Sequence, residues 1–442
     1  MIFDIDASQK RHTMNRINKL GIRIGTGQNR RNMMKWNVMV AVCGCAVAAL
    51  GGEAVDPSTL TGKIMAGYQG WFRTPDDGCG QGFTHYGIKG KFEPGFSAVE
   101  MWPDMSEMDE DEKFATPFRH ADGSTAHVFS SVSPKTVMRH FKWMEEYGMD
   151  GVFLQRFIGV TKGEKSRAAL QKVMANVRAG AERHSRAWAM MYDLSGGNDT
   201  DIPGTVIADW KQLVDEDNIR KDRMYLHHKG KPVVSVWGIG FNDKRRYTLA
   251  QCLELVTFLK DDPVYGGNTV MIGVPTYWRT LERDTLSDPL LHEIAKKADI
   301  VSPWAVGRFN NIKDVQKYVQ QTAVQDLAWC REQGRDFLPV VYPGFSWFNL
   351  MKGRDTPAKP DAIPRLKGEF LKSQLDGHIG YGATMIYQAM FDEIDEGTAI
   401  FKVTNNPPVG ESPFLGYEGL PSDFYMKMIG DSAKRLRGKI GK

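Results

Sequence analysis

Eight short apolar runs, each of strand length and each followed by a segment of helical period, constrain this chain to an alternating β/α architecture. They fall at residues 64–71, 151–157, 187–193, 232–237, 269–274, 300–304, 337–342 and 383–390. Most are apolar throughout and do not alternate, the pattern of strands covered on both faces. Helical periodicity fills the gaps at 133–147, 166–184, 249–260 and 315–333, with Ser133 ahead of Pro134 and Asp314 placed as N-caps. Eight such units predict an α/β fold, a (β/α)8 TIM barrel over residues 60–440. The alternative, an open doubly wound sheet, lacks its usual sign, because no G-x-G-x-x-G or phosphate loop follows the first run. The first crossover, residues 72–132, is long enough to be an insertion over the barrel mouth. Its acids Asp104, Glu107, Asp109, Glu110, Asp111 and Glu112 read as a solvated rim, without the regular alternation of a calcium loop.

Residues 1–54 read as an N-terminal extension and signal peptide. Lys35 precedes an apolar stretch at 38–50, and Gly52-Glu53-Ala54 offers a small-x-small cleavage site. The stretch is short for a permanent span, so export to the periplasm or the extracellular space is expected, with Met33 or Met34 as candidate starts. Lipid attachment at Cys45 is the alternative, since Val42-Cys43-Gly44-Cys45 loosely matches a lipoprotein box. Much of the net charge of +4 lies in this extension, so the remainder carries no nucleic-acid footprint. Beyond it stand Cys79, Cys252 and Cys330, too few and too scattered for a disulfide framework or a zinc site. His120, His127 and His184 lack ligand spacing, and His227 and His228 precede a strand, where a structural role is expected. Neither a metal nor another cofactor is predicted.

Barrel enzymes build their sites at the C-terminal ends of the strands, so the residues there are the candidates. They are Tyr68, Gln69 and Trp71; Gln155, Arg156 and Phe157; Tyr192 and Asp193; Trp237; Tyr277 and Trp278; Trp304; Tyr342, Phe345 and Trp347; and Tyr387 and Gln388. Aromatic faces beside amides and acids suit a sugar, whose CH groups stack on rings while its hydroxyls need fixed partners. The last run leads into Asp392-Glu393-Ile394-Asp395-Glu396-Gly397, four acids in five positions. Carboxylates crowded at the end of a core strand raise one another's pKa values, which separates a proton donor from an acceptor. Retaining glycosidases hold two carboxyl groups roughly 5 to 5.5 Å apart, and an i, i+3 pair reaches that spacing only if the chain turns. A turn at Glu393 is therefore required, and Gly397 supplies backbone freedom beside it.

Glu393-x-x-Glu396-Gly397-Thr398, Gly67-Tyr68-Gln69-Gly70-Trp71, Gly148-Met149-Asp150-Gly151-Val152 and Lys231-Pro232-Val233-Val234 resemble glycoside hydrolase family 99 and the related family 71-like proteins. The similarity spans roughly residues 60–405. It implies retaining, endo-acting cleavage of α-mannosidic linkages, with Glu393 assisting the sugar 2-hydroxyl and Glu396 as acid/base. The family commonly has Trp-His between the two glutamates, and Ile394-Asp395 stands there in this chain.

The expectation is an exported retaining glycoside hydrolase acting on α-linked oligo- or polysaccharide, with Glu393 and Glu396 catalytic. The remaining strand-end residues, together with Asp392 and Asp395, would bind substrate. Carbohydrate is the expected partner of a monomer that binds no nucleic acid and spans no membrane. The alternatives are a non-catalytic carbohydrate-binding barrel and, in a third class, a metal-dependent hydrolase using Asp193 with the acids of 392–396.

Overall fold

The computed structural model describes residues 52–441, so the signal, cleavage and lipid-attachment expectations lie almost wholly outside the described residues. Strands β1 (Ile64–Tyr68), β2 (Gly151–Phe157), β3 (Ala187–Asp193), β4 (Lys231–Trp237), β5 (Thr269–Pro275) and β6 (Ile300–Trp304) form one parallel sheet in the order β6-β5-β4-β3-β2-β1, and β8 (Ile386–Gln388) pairs with the other side of β1. The remaining position, β7, consists of two short pieces, Asp336–Phe337 and Val340–Val341. The first pairs with β6 (Asp336 opposite Ile300) and the second with β8 (Val340 opposite Tyr387), which closes the ring. The break has a local cause. Pro339 has no N–H to give, and its carbonyl accepts from Tyr387 N at 2.9 Å, while Leu338 N donates to Val301 at 3.0 Å. The TIM barrel is thus formed by the eight runs; β2, β3 and β6 match their apolar stretches, β4 and β5 are one residue longer, and β1, β7 and β8 are shorter.

Helices α1 (Pro134–Glu146), α2 (Glu164–His184), α3 (Gly204–Asp215), α4 (Leu249–Asp261) and α5 (Leu290–Lys297) follow the first five of these barrel units in turn. Then come α6 (Ile312–Tyr318), which runs through a π-turn at Val319–Ala323 into α7 (Val324–Glu332), and α8 (Glu369–Gly380) and α9 (Phe424–Ile440). Ser133 caps α1, its side chain accepting from Thr136 N, with Pro134 at the first helical position. Asp314 is not a cap. Asn311 takes that role three residues earlier, accepting from Asp314 N, because the helix begins ahead of its apolar stripe. His228 is structural, at 3.2 Å from Leu60 N and 3.0 Å from Asp336 on the floor of the barrel. Cys252 and Cys330 are core residues, and Cys79, Cys252 and Cys330 are all free thiols.

The insertion after β1 folds around a hairpin, Phe114–Arg119 with Thr125–Val128. It has an aromatic core of its own, in which Trp102 packs on Phe92, Phe118 and Phe414. Phe414 comes from the segment before α9, which also bridges the insertion at Met101–Leu415, Pro103–Val403 and Arg119–Val409. The acids are not uniformly a solvated rim. Asp109, Glu110 and Asp111 are exposed, as is Glu107, which takes Trp143 Nε1 at 2.8 Å and the Lys402 ammonium, whereas the Glu112 side chain is fully buried and paired with Arg139. A buried carboxylate persists only with such partners. Among the described residues no helix is long and apolar enough to cross a membrane.

Candidate active site

The C-terminal ends of the strands open into a cavity of about 650 Å³. Side chains alternate along a strand, so of each consecutive pair one faces this space. Gln155 and Phe157 of β2 line it, as do Met191 and Asp193 of β3, while Arg156 and Tyr192 between them turn away and meet Asp209. Trp237, Trp304 and Tyr387 enter from β4, β6 and β8, and Gln69 and Trp71 from the end of β1.

The acidic segment makes a turn. Glu393 O accepts from Thr398 N at 3.1 Å and Ala399 N at 3.0 Å, and Gly397 between them has φ +63°, in the left-handed region. Ser346 N holds the Glu396 carbonyl at 3.0 Å, and Glu100 N holds that of Ile394 at 2.8 Å, so the loop after β7 and the insertion both clamp the turn. Asp392 faces the barrel wall, and its two oxygens accept from Gln69 N at 2.7 Å and Gly70 N at 2.8 Å, which fixes the β1 loop. Glu393, Asp395 and Glu396 line the cavity.

The two glutamates have unequal surroundings. Each oxygen of Glu393 has a donor, Gln69 Nε2 at 2.5 Å and Thr398 Oγ1 at 2.6 Å. The Glu396 carboxylate, which is only partly covered, has no hydrogen-bond partner among the described residues and opens on the cavity. Burial, aided by the charge of Asp395 and opposed by Arg354, pushes Glu396 up to about 7. Burial, with the charges of Glu396 and Asp395, raises Glu393 well above the usual carboxylate range, against the two donors that favour its ionised form. The pair therefore titrates as a unit and keeps a proton into the neutral range. Burial raises Asp193 to about 6, while its hydrogen bond from Ser195 N at 2.7 Å pulls the other way.

Two aromatic groups complete the cavity. Trp71 stacks on His85 at 3.9 Å with 5° between the rings and meets Phe157 at 5.1 Å, and His85 Nδ1 lies 3.2 Å from Asp395. Trp304 packs edge-on to Trp237 at 5.3 Å and against Tyr387 at 6.1 Å. The Nε1 atoms of Trp71 and Trp237, Gln69 Oε1 and Asp395 Oδ1 are buried with no partner among the described residues, an unmet hydrogen-bonding capacity that a polar ligand would fill.

Of the residues expected at the site, Gln69, Trp71, Gln155, Phe157, Asp193, Trp237, Trp304, Tyr387, Glu393, Asp395 and Glu396 share the cavity, and the others lie elsewhere. Tyr68 bonds His140 at 2.9 Å and Tyr342 bonds the Phe309 carbonyl at 2.6 Å, both fully buried. Trp278 is a core residue edge-on to Trp329 at 4.8 Å, Tyr277 lies under Arg283, and Trp347 is 38% exposed outside the cavity. Gln388 is buried and turns back to the Ala389 carbonyl, and Asp392 acts on the β1 backbone. The strand-end reading missed Arg73, Gln81, Thr84 and His85 of the insertion, Ser166 of α2 and Arg354 after β7. The length of the first crossover was the signal for most of them, since a long loop at the mouth must line it. The described residues hold one group with metal-ligand spacing, Asp109, Asp111 and Glu112, and these acids are ion-paired with Lys135 and Arg139 in the insertion.

No protein-family model matches the chain, and no curated protein does. Among solved structures, the glycoside hydrolase family 99 endo-α-mannosidase of Bacteroides thetaiotaomicron in complex with bis-tris-propane matches with a TM-score of 0.60 at 16% identity, over 87% of this chain and 99% of that one. A second structure of the family 99 endo-α-mannosidase from this organism matches with a TM-score of 0.58 at 16% identity, over 87% of this chain and 100% of that one. The resemblance drawn from the glutamate motif thus has its counterpart in three dimensions: this chain has the fold of those two structures over most of its length.

Proposed function

We propose that the protein is an exported retaining glycoside hydrolase that cleaves α-linked, and by its resemblance α-mannosidic, oligo- or polysaccharide. The observation that carries this reading is the inequality of two glutamates in one turn at a barrel mouth. Glu396 is unheld, faces the cavity and keeps a proton toward neutrality, as a donor to a departing glycosidic oxygen must. Glu393 is held by two donors on the side of the turn that meets β1, as suits the carboxylate acting on the sugar itself, through its 2-hydroxyl or as nucleophile. Trp71, Trp237, Trp304 and Tyr387 provide ring faces for the sugar.

The test is hydrolysis of an α-mannan and α-glucan panel by the secreted protein, with product anomers assigned. Glu393→Gln and Glu396→Gln are expected to fold, bind and lose roughly 10²- to 10⁴-fold or more in turnover. With an activated leaving group, which needs little protonation, Glu396→Gln recovers more than Glu393→Gln. Binding without product release would identify a carbohydrate-binding barrel, inverted products would refute retention, and activity lost to chelators would favour the metal reading. N-terminal sequencing of the secreted protein checks export, with a start near Val55 expected.

A further inference from the structure

A shallower depression of about 180 Å³ adjoins the acidic cavity, and Ser195 lines both. Its walls are Gly196 and Gly197 after β3 and the loop after β4 that carries Lys244 and Arg246. Arg245 between them is already engaged. It clamps Asp243 through Nε and Nη2 at 2.9 Å, donates to Tyr247 at 2.8 Å and lies over the rings of Trp237 and Phe241 at 5.0 and 4.8 Å. Asp243 and Arg245 therefore cancel each other, and their clamp anchors the loop to Trp237, a wall of the acidic cavity. Lys244 and Arg246 flank this anchor, both exposed, and neither forms an ion pair among the described residues. Lys244 is held at φ +65°, and Arg246 Nη2 reaches the Gly196 carbonyl at 3.3 Å, which joins the two walls. Two unpaired cations in a concave wall, beside a cavity lined by Asp193, Glu393, Asp395 and Glu396, create a step in electrostatic sign along one surface. A neutral glycan gains nothing from that step. A glycan with an oxyanion on one sugar does.

We propose that the Lys244–Arg246 depression binds an anionic substituent, a phosphate, sulfate or uronate carboxylate, on the sugar chain whose neutral unit occupies the acidic cavity. This rests on the glycosidase reading and narrows its substrate class. Binding by full-length Glu396→Gln protein is measured by calorimetry for α-mannose and α-glucose oligosaccharides, each neutral and with one 6-phosphate, one 6-sulfate or a glucuronate unit. At low salt at least one anionic form is expected to bind about tenfold tighter than its neutral parent, the worth of two exposed ion pairs. The preference should shrink in high salt and vanish in Lys244→Ala/Arg246→Ala, with the form that binds best identifying the oxyanion. Equal binding of neutral and anionic forms on both scaffolds, binding of neither, or a preference that survives the double substitution would overturn the proposal. A charge preference in a protein that cleaves no glycoside would remove the glycosidase reading and leave this site standing. Turnover of neutral glycans without a charge preference would do the reverse.

Discussion

Gln69 donates its side-chain amide to Glu393 at 2.5 Å, across 324 positions of the chain. The contact ties the loop after the first strand to the turn after the last, and it depends on Asp392, which takes the Gln69 and Gly70 backbone N–H groups. Gln69→Ala is expected to leave the fold intact and lower turnover by roughly 10-fold or more, since a hydrogen bond to a charged group is worth about 1.5–3 kcal/mol. Its loss removes a donor that favours the charged form of Glu393, so the acidic limb of the rate profile should move to higher pH. An unmoved limb would show that Gln69 only packs.

The alkaline limb has a separate origin. In the proposed mechanism Glu396 must carry a proton to donate it, and burial holds that proton up to about pH 7, so activity should fall as pH rises past neutrality. Stability should fall in the same direction. Glu100, Asp392 and Glu396 have folded-state values of about 7, above their unfolded ones, so the folded state binds more protons between about pH 4 and 7 and is stabilised toward the acid side. Thermal melts across pH 5 to 8.5 check the sign, and a melting temperature that rises with pH over that range would contradict it.

Gly67→Ala tests the packing beneath the site. A Cβ there would stand 2.2 Å from both the Tyr387 hydroxyl and Met390 Cε, with the backbone behind it fixed in β1. A cost of about 1–3 kcal/mol is expected, together with a displaced Tyr387 and weaker substrate binding. Chemical denaturation and substrate titration read the two effects separately.

Trp304 and Trp278 look alike in the sequence and should fail differently. Trp278→Ala opens a hole in the core and should cost about 3–5 kcal/mol while affinity in the folded fraction holds. Trp304→Ala, on the cavity wall, should weaken sugar binding by more than it lowers stability. Equal behaviour of the two variants would return Trp304 to the core.

The barrel was legible because each buried strand of a parallel sheet is an uninterrupted apolar run, and eight of them in alternation with helices leave few architectures. The acidic turn was legible because four acids in five positions follow directly on the last apolar run. Which strand-end residue faces inward was not. Arg156 and Tyr192 stand beside Gln155 and Asp193, and a shift of one position moves a side chain from the cavity to the outer wall, where Asp209 waits on α3. His85 was invisible for another reason: its place against Trp71 and Asp395 depends on the path of an irregular loop, which no periodicity encodes.

The bridging of the insertion by the segment before α9 bears on the order in which the molecule is made. Glu100 O accepts from Leu415 N at 2.7 Å, while Glu100 N holds the Ile394 carbonyl inside the acidic turn. A chain emerging from the ribosome can seat β8 between β1 and β7 before residue 415 has been synthesised. The brace on the glutamate turn arrives only afterwards. Leu415→Pro, which removes the N–H given to Glu100 and leaves α9 in place, is therefore expected to retain the barrel's circular dichroism and lose competence toward substrate, so that the mouth waits on a residue that follows the last strand by more than twenty positions.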